Sequence, residues 1–397
     1  MTQTSPTGLP TFDAGSITAT IEKAFAAAGL TTQTGFMHDL TETIRRALSS
    51  PLPDPGHAAR QSSRLIDAFA REIGRQADAP ALPGTAPASR ETATPGEFVT
   101  RQFRNHAGAR AYKLNVPRSA PGERMPLIVM LHGCTQSPDD FAAGTQMNAL
   151  AEQHRFIVAY PEQAANANGS KCWNWFRAED QIRDSGEPSI IAGITREIAA
   201  THAVDPRRIF VAGLSAGASM AVILGETYPE LYAGVGAHSG LPYGAAHDMP
   251  SAFAAMAGGR NGMPDLASLT GSAITPRKKA THFVPTIVFH GDADHTVGQR
   301  NGASIVQQAA ETLSTHDDEG AAKAVTERGV APRGRGYTRT RYSDAHGVPR
   351  VESWVLHGAG HAWAGGNARG SYTDATGPDA AAEMVRFFLA QPQAGSA

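Results

Sequence analysis

An α/β fold on a mostly parallel central sheet is expected from three features of this sequence. Short apolar runs such as PLIVMLHG, RIFVAGLS and PTIVFHGDAD recur along the chain. They alternate with stretches of helical periodicity, the order expected of βαβ units. A Gly213-Leu214-Ser215-Ala216-Gly217 turn joins one such run directly to a helix. The runs are continuous rather than alternating, as expected of strands covered on both faces.

The elements follow in order. FVTRQFR and ARAYKLNVP, within residues 98–117, read as an antiparallel pair. PLIVMLHG is the first buried strand, and residues 145–154 have helical spacing. FIVAYPE is a strand, residues 190–202 a helix, RIFVAGLS a strand and residues 216–228 a helix. YAGVGAHSG, PTIVFHGDAD and VESWVLHGAGH are further strands, the last fed by a hairpin. Residues 301–313 and 379–389 complete the helices. Two insertions break the rhythm. Residues 241–281, rich in Gly, Met and Ala, suit a cap beside the C-terminal sheet edge. Residues 314–336 are polar and read as a surface excursion.

This region, residues 98–391, forms the expected catalytic domain. Before it, residues 1–77 form a helical arm. Apolar stripes mark three helices: Ile17, Ile21, Ala24 and Phe25; then Phe36, Leu40, Ile44 and Leu48; then Leu65, Ile66, Phe69 and Ile73. Helices this short need a surface to pack on, either the main domain or a second subunit in a homo-oligomer. Residues 78–97 carry prolines at 80, 83, 87 and 95 and read as a linker.

Composition removes several function classes. Lys and Arg number 35 against 37 Asp and Glu, so no global field attracts nucleic acid or an anionic membrane. No apolar run approaches the roughly 20 residues of a membrane-spanning helix. Two cysteines exclude a disulfide-dense scaffold and a Cys-rich zinc module. No HExxH motif occurs and, outside the strand-end histidines His238, His357 and His361, the remaining histidines show no comparable ligand spacing, so neither metal nor cofactor is expected. The N-terminus lacks a basic region followed by an apolar one, so no signal peptide is read.

The chemistry centres on Ser215. Between a buried strand and a helix, G-x-S-x-G reads as a nucleophile elbow. The serine needs a strained turn, and small residues two before and two after let strand and helix approach. At the helix N-terminus the backbone N–H of Ala216 points toward any oxyanion formed on an attacked carbonyl. A serine hydroxyl needs a base, and the partners of such an elbow follow it as acid, then histidine. Asp294 is the expected acid, in the H-G-x-x-D-x-x-V loop, with Asp292 its competitor and expected to bond its own turn. His361, past two glycines, is the expected base. His357, at the strand's end, is expected to be packed. The loop after PLIVMLHG should supply the second oxyanion donor, the N–H of Cys134, with Gly133 allowing close approach.

Cys134 and Cys172 are about 38 residues apart, and a bridge would stabilise by ~4 kcal/mol in the chain-entropy model. Spacing leaves a bridge and two buried thiols equally open. Trp173, Trp175, His238 and Trp363 are read as substrate-binding, with Phe176 beside them.

At these residues the sequence resembles the polyhydroxybutyrate depolymerase-type esterases, relatives of feruloyl and acetylxylan esterases. LHGCTQSPDDF, CWNWF, GLSAGASMA, HGDADHTV and GAGHAW carry the resemblance, in order, over residues 95–390. It implies an α/β-hydrolase fold with a triad of Ser215, His361 and Asp294. It also implies a Cys134–Cys172 disulfide and oxyanion donors at Cys134 and Ala216. The expected activity is ester hydrolysis through an acyl-enzyme. The substrate would be a polyhydroxyalkanoate oligomer or, alternatively, a feruloylated or acetylated plant polysaccharide. A peptidase and a non-catalytic binding protein on the same fold are the competing readings. The resemblance implies an extracellular protein, and the unread signal peptide leaves a cytoplasmic one open.

Overall fold

The computed structural model describes residues 97–118, 123–258, 283–316 and 323–392. The three arm helices and most of the linker fall outside them, as do residues 259–281 of the first insertion.

Ten strands form one sheet in the order β1-β2-β4-β3-β5-β6-β7-β10-β9-β8. They are β1 (Glu97–Asn105), β2 (Gly108–Val116), β3 (Met125–Leu131), β4 (Ile157–Pro161) and β5 (Val204–Leu214), then β6 (Gly234–His238), β7 (Thr286–Gly291), β8 (Lys323–Val330), β9 (Gly336–Ser343) and β10 (Pro349–Leu356). The six from β4 to β10 in this order are parallel. Antiparallel pairs extend both sides: β1–β2 and β8–β9. This is the architecture of an α/β-hydrolase.

Alternation along each central strand builds two cores. In β3, Leu127, Val129 and Leu131 face one core and Ile128 and Met130 the other. In β5, Ile209 and Val211 face the first, Phe210, Ala212 and Leu214 the second. Helices α3 (Gly186–Thr201), α4 (Ala216–Thr227) and α6 (Arg300–His316) supply the first core. Helices α1 (Pro138–Thr145), α2 (Met147–His154) and α7 (Ala380–Leu389) supply the second, where Phe210 stacks on Phe388 with centroids 4.7 Å apart. Helix α5 (Met249–Met256) lies in the first insertion and is capped by Asp248.

One helix is added and one reading changes. The helix expected at 145–154 is α2; α1 precedes it without having been expected, and Gln146 with φ 57° separates the two. The second insertion contains strand β8, although its residues 317–322 lie outside the described residues. KAVTERGV is exposed on both faces and, among the described residues, pairs only with β9. An edge strand with no buried face carries no period-2 signal, so its sequence reads as loop.

Candidate active site

The parallel strands end together, and this edge gathers the site. Leu214, the last residue of β5, lies opposite His238 of β6, and His238 opposite Phe289 of β7. Gly291 of β7 lies opposite Leu356 of β10. Ser215, the loop of Asp294 and the loop of His361 therefore leave the sheet side by side.

Ser215 separates β5 from α4 with φ 57° and ψ −122°. Such a conformation costs a non-glycine residue about 1–3 kcal/mol and persists where its surroundings enforce it. Here Ser215 N donates to the His238 carbonyl at 2.9 Å, and the Ser215 carbonyl accepts from Ser219 N at 3.0 Å. A Cβ on Gly217 would fall on the Leu131 carbonyl oxygen, and one on Gly213 on the Gly217 backbone. Both glycines are thus required by backbone packing, as the elbow reading expects.

Asp294 is fully committed. Its Oδ1 accepts from Thr296 N and Val297 N, both at 2.9 Å, and its Oδ2 accepts from His361 Nδ1 at 2.7 Å. Burial alone would raise its pKa. The adjacent His361, the loop N–H groups and His290 outweigh burial and hold it at about 2. Asp292 is exposed and accepts from Gly358 N at 2.6 Å, bonding across to the neighbouring loop and not within its own turn. His357 is exposed, not packed, and hydrogen-bonds Thr338 Oγ1 at 2.9 Å. The structure thus brings Asp294 and His361 together. It sets Ser215 on the same edge, and among the described residues no hydrogen bond joins its hydroxyl to the imidazole.

The backbone around Cys134 leaves one donor unspent. Gly133 N donates to Gln136 Oε1 at 2.9 Å and Thr135 N to the Ser170 carbonyl at 2.7 Å. Among the described residues the intervening Cys134 N–H has no acceptor. Ala216 N, in the first turn of α4, is likewise uncapped by Ser215. Cys134 and Cys172 form a disulfide.

Ser215 opens on a cleft lined by Cys134, Asn168, Cys172, Trp175, Phe176 and Ala216. Leu241, Val297 and Met249, Ala252, Phe253 and Met256 of α5 complete the lining. Among the described residues no charged side chain lines it. Leu241 and the α5 residues belong to the insertion read as a cap beside the sheet's C-terminal edge, although none of them was named as substrate-binding. Of the four residues read as substrate-binding, only Trp175 lines the cleft. Trp173 is fully buried against His132. His238 and Trp363 stack on one another in the second core, with centroids 5.2 Å apart. His238 Nε2 accepts from Ala364 N at 3.0 Å, which ties the chain just past His361 to the end of β6.

Three buried histidines are held neutral. Burial lowers the pKa of His132 to about 4, that of His238 to about 3, and that of His290 in the same direction. The unfolded chain binds protons on them below pH ~6.5, so falling pH costs stability. Burial, with Glu187 beside it, pushes Asp180 up to about 7, which acts the opposite way between about pH 4 and 7. The histidines outnumber it, and near pH 5 the unfolded chain should hold about one to two more protons. Urea midpoints measured from pH 6.5 to 4.5 should therefore fall. A flat or rising series would show that these rings are not held neutral.

The family model for esterase PHB depolymerase matches residues 110–332. Poly(3-hydroxyalkanoate) depolymerase C of Paucimonas lemoignei is 34% identical over 252 residues, 62% of this chain and 57% of that protein. Poly(3-hydroxybutyrate) depolymerase of Ralstonia pickettii is 26% identical over 272 residues, 65% of this chain and 52% of that protein. The chain thus spans little more than half the length of these relatives. An acetyl xylan esterase structure from Aspergillus awamori superposes with a TM-score of 0.55 at 18% identity. It covers 75% of this chain and 100% of that one, a likeness of fold.

Proposed function

The chain belongs to the esterase PHB depolymerase family, and from that membership we propose that it is a serine-type carboxylic ester hydrolase acting through an acyl-enzyme. The observation that carries the reading is the Asp294–His361 hydrogen bond at the edge where the strained Ser215 opens on the cleft. Asp294, ionised at working pH, fixes the proton of His361 on Nδ1 and leaves Nε2 as the base. His361 takes the Ser215 proton as Oγ attacks the ester carbonyl. The Cys134 and Ala216 amides receive the negative charge that develops on the carbonyl oxygen. His361 returns the proton to the departing alcohol, and water repeats the sequence to release the acid.

Among the described residues the cleft lining is uncharged and largely apolar, which favours a neutral acyl group, and the short hydroxyacyl units of a polyhydroxyalkanoate chain fit that description. The edge-to-face pair of Trp175 and Phe176, with centroids 5.6 Å apart, favours the feruloyl alternative, since an aryl acyl group packs well on such a surface. Fluorophosphonate labelling should mark Ser215, and its failure would sink the hydrolase reading. Rates on hydroxybutyrate oligomers, methyl ferulate and acetylated xylan then rank the substrates. Hydroxybutyrate oligomers are expected to lead, and a lead for methyl ferulate would reverse the choice.

The disulfide supports export, because such bonds persist in oxidising compartments. Peptide mapping of non-reduced protein should recover Cys134 joined to Cys172. The double variant Cys134→Ser, Cys172→Ser should keep its fold, since neither residue lies in the sheet. It should lose at least roughly tenfold in kcat/KM as the oxyanion loop loosens. Full activity with both thiols free would remove the bridge from the mechanism.

A further inference from the structure

The oxyanion loop is held from behind by a buried side chain that the proposed reaction does not itself employ. His132 is 1% exposed and ends the segment that leads into Gly133 and Cys134. Gln163 N donates to its Nε2 at 3.1 Å. A backbone N–H can only donate, so Nε2 must be the unprotonated nitrogen. The ring proton of the neutral imidazole then resides on Nδ1, which lies 2.7 Å from the Gly133 carbonyl oxygen and donates to it. That carbonyl and the Cys134 N–H belong to one peptide unit. In a trans peptide the two groups point in opposite directions, so gripping one aims the other.

We propose that His132, as the neutral Nδ1–H tautomer, is a positioning residue that aims the Cys134 amide at the developing oxyanion. The role rests on the esterase reading above. Its support continues inward. The Gln163 side chain is fixed by Arg110 Nε at 2.9 Å, by the Cys172 carbonyl at 2.8 Å and by Glu187, and Arg110 and Glu187 are themselves paired at 3.1 Å. All three side chains are buried. Asn174 N donates to Glu187 Oε2 at 2.7 Å, so the same network holds the aromatic wall of the cleft. Burial keeps His132 neutral down to about pH 4, so at working pH the ring carries one proton and the two hydrogen bonds decide on which nitrogen. Packing alone would not demand a tautomer; the two hydrogen bonds do.

Two substitutions separate the bonds. His132→Asn places an amide N–H near the position of Nδ1 and keeps the donor to Gly133. His132→Gln reaches toward Gln163 N with an acceptor and loses that donor. If the peptide is aimed through Gly133, His132→Gln should lower kcat by about 10²–10³, the cost of an oxyanion donor, with KM little changed. His132→Asn should stay within about tenfold of the wild type. Equal losses in both, or the reverse ranking, would overturn the proposal. Should either variant fail to fold, neutron diffraction from deuterium-exchanged wild-type crystals decides it: deuterium on Nδ1 supports the role and deuterium on Nε2 overturns it. Fluorophosphonate labelling of the wild type keeps the two readings apart. An unlabelled Ser215 overturns both, whereas a labelled one with the wrong ranking or tautomer overturns the role of His132 alone.

Discussion

Ser215→Ala is expected to lower ester hydrolysis by about 10⁴-fold or more while leaving the fold in place. Removing the hydroxyl deletes the only step that splits one difficult displacement into two easier ones. His361, Asp294 and both oxyanion amides then have no covalent intermediate to serve. What survives is the catalysis that binding and the oxyanion hole alone provide. The change is silent structurally because the hydroxyl makes no hydrogen bond among the described residues and the backbone at φ 57° is held by Ser219 and His238. A companion variant tests the strain. Ser215→Gly should be equally inactive yet no less stable than Ser215→Ala, because glycine occupies that conformation without a Cβ penalty. Thermal melts and p-nitrophenyl ester rates of the two variants make the comparison. Near-wild-type turnover in Ser215→Ala would end the assignment of the nucleophile.

The elbow was legible because its demand is steric and local. Gly213 and Gly217 are small since Leu131 and the elbow's own backbone leave no room. The loops of Asp294 and His361 were legible from their place after buried strands, since parallel sheets collect their chemistry at one edge. The substrate residues were harder to read. A sequence shows that Trp173, His238 and Trp363 are near the site but not which way each side chain points. Trp173 and Trp175 are two apart, yet one turns inward onto His132 and the other toward the cleft. His238 follows Ala237, which faces the first core, so alternation alone assigns it to the second, where it stacks on Trp363 and Phe289. Glu187 was invisible for another reason. Its partner Arg110 is 77 residues away, and a buried charge is identified only when the fold brings its neutraliser to it.

Asp294→Asn is expected to lower kcat by up to about 10⁴, and Asp292→Asn far less. The loop decides how the new amide would sit. Oδ1 of Asp294 accepts two backbone N–H groups, from Thr296 and Val297, and an asparagine must keep its single oxygen there to satisfy them. Its NH₂ group then faces His361 Nδ1, which had been donating at 2.7 Å. Two donors cannot share that contact, so the imidazole shifts its proton to Nε2. A protonated Nε2 cannot accept from Ser215, and the base is lost although its position is kept. Asp292 has no such double duty. Its Oδ1 accepts from Gly358 N, and an asparagine oxygen can do the same. The pH dependence of stability gives a second readout. With its folded pKa held at about 2, below the unfolded ~3.9, Asp294 contributes stability above the unfolded value and loses it as pH falls toward 2. The asparagine variant should lack that portion of the acid limb, and Asp292→Asn should retain it. Were the kinetic effects reversed, with Asp292→Asn the crippled enzyme, the triad's acid would be reassigned while Ser215 and His361 kept their roles.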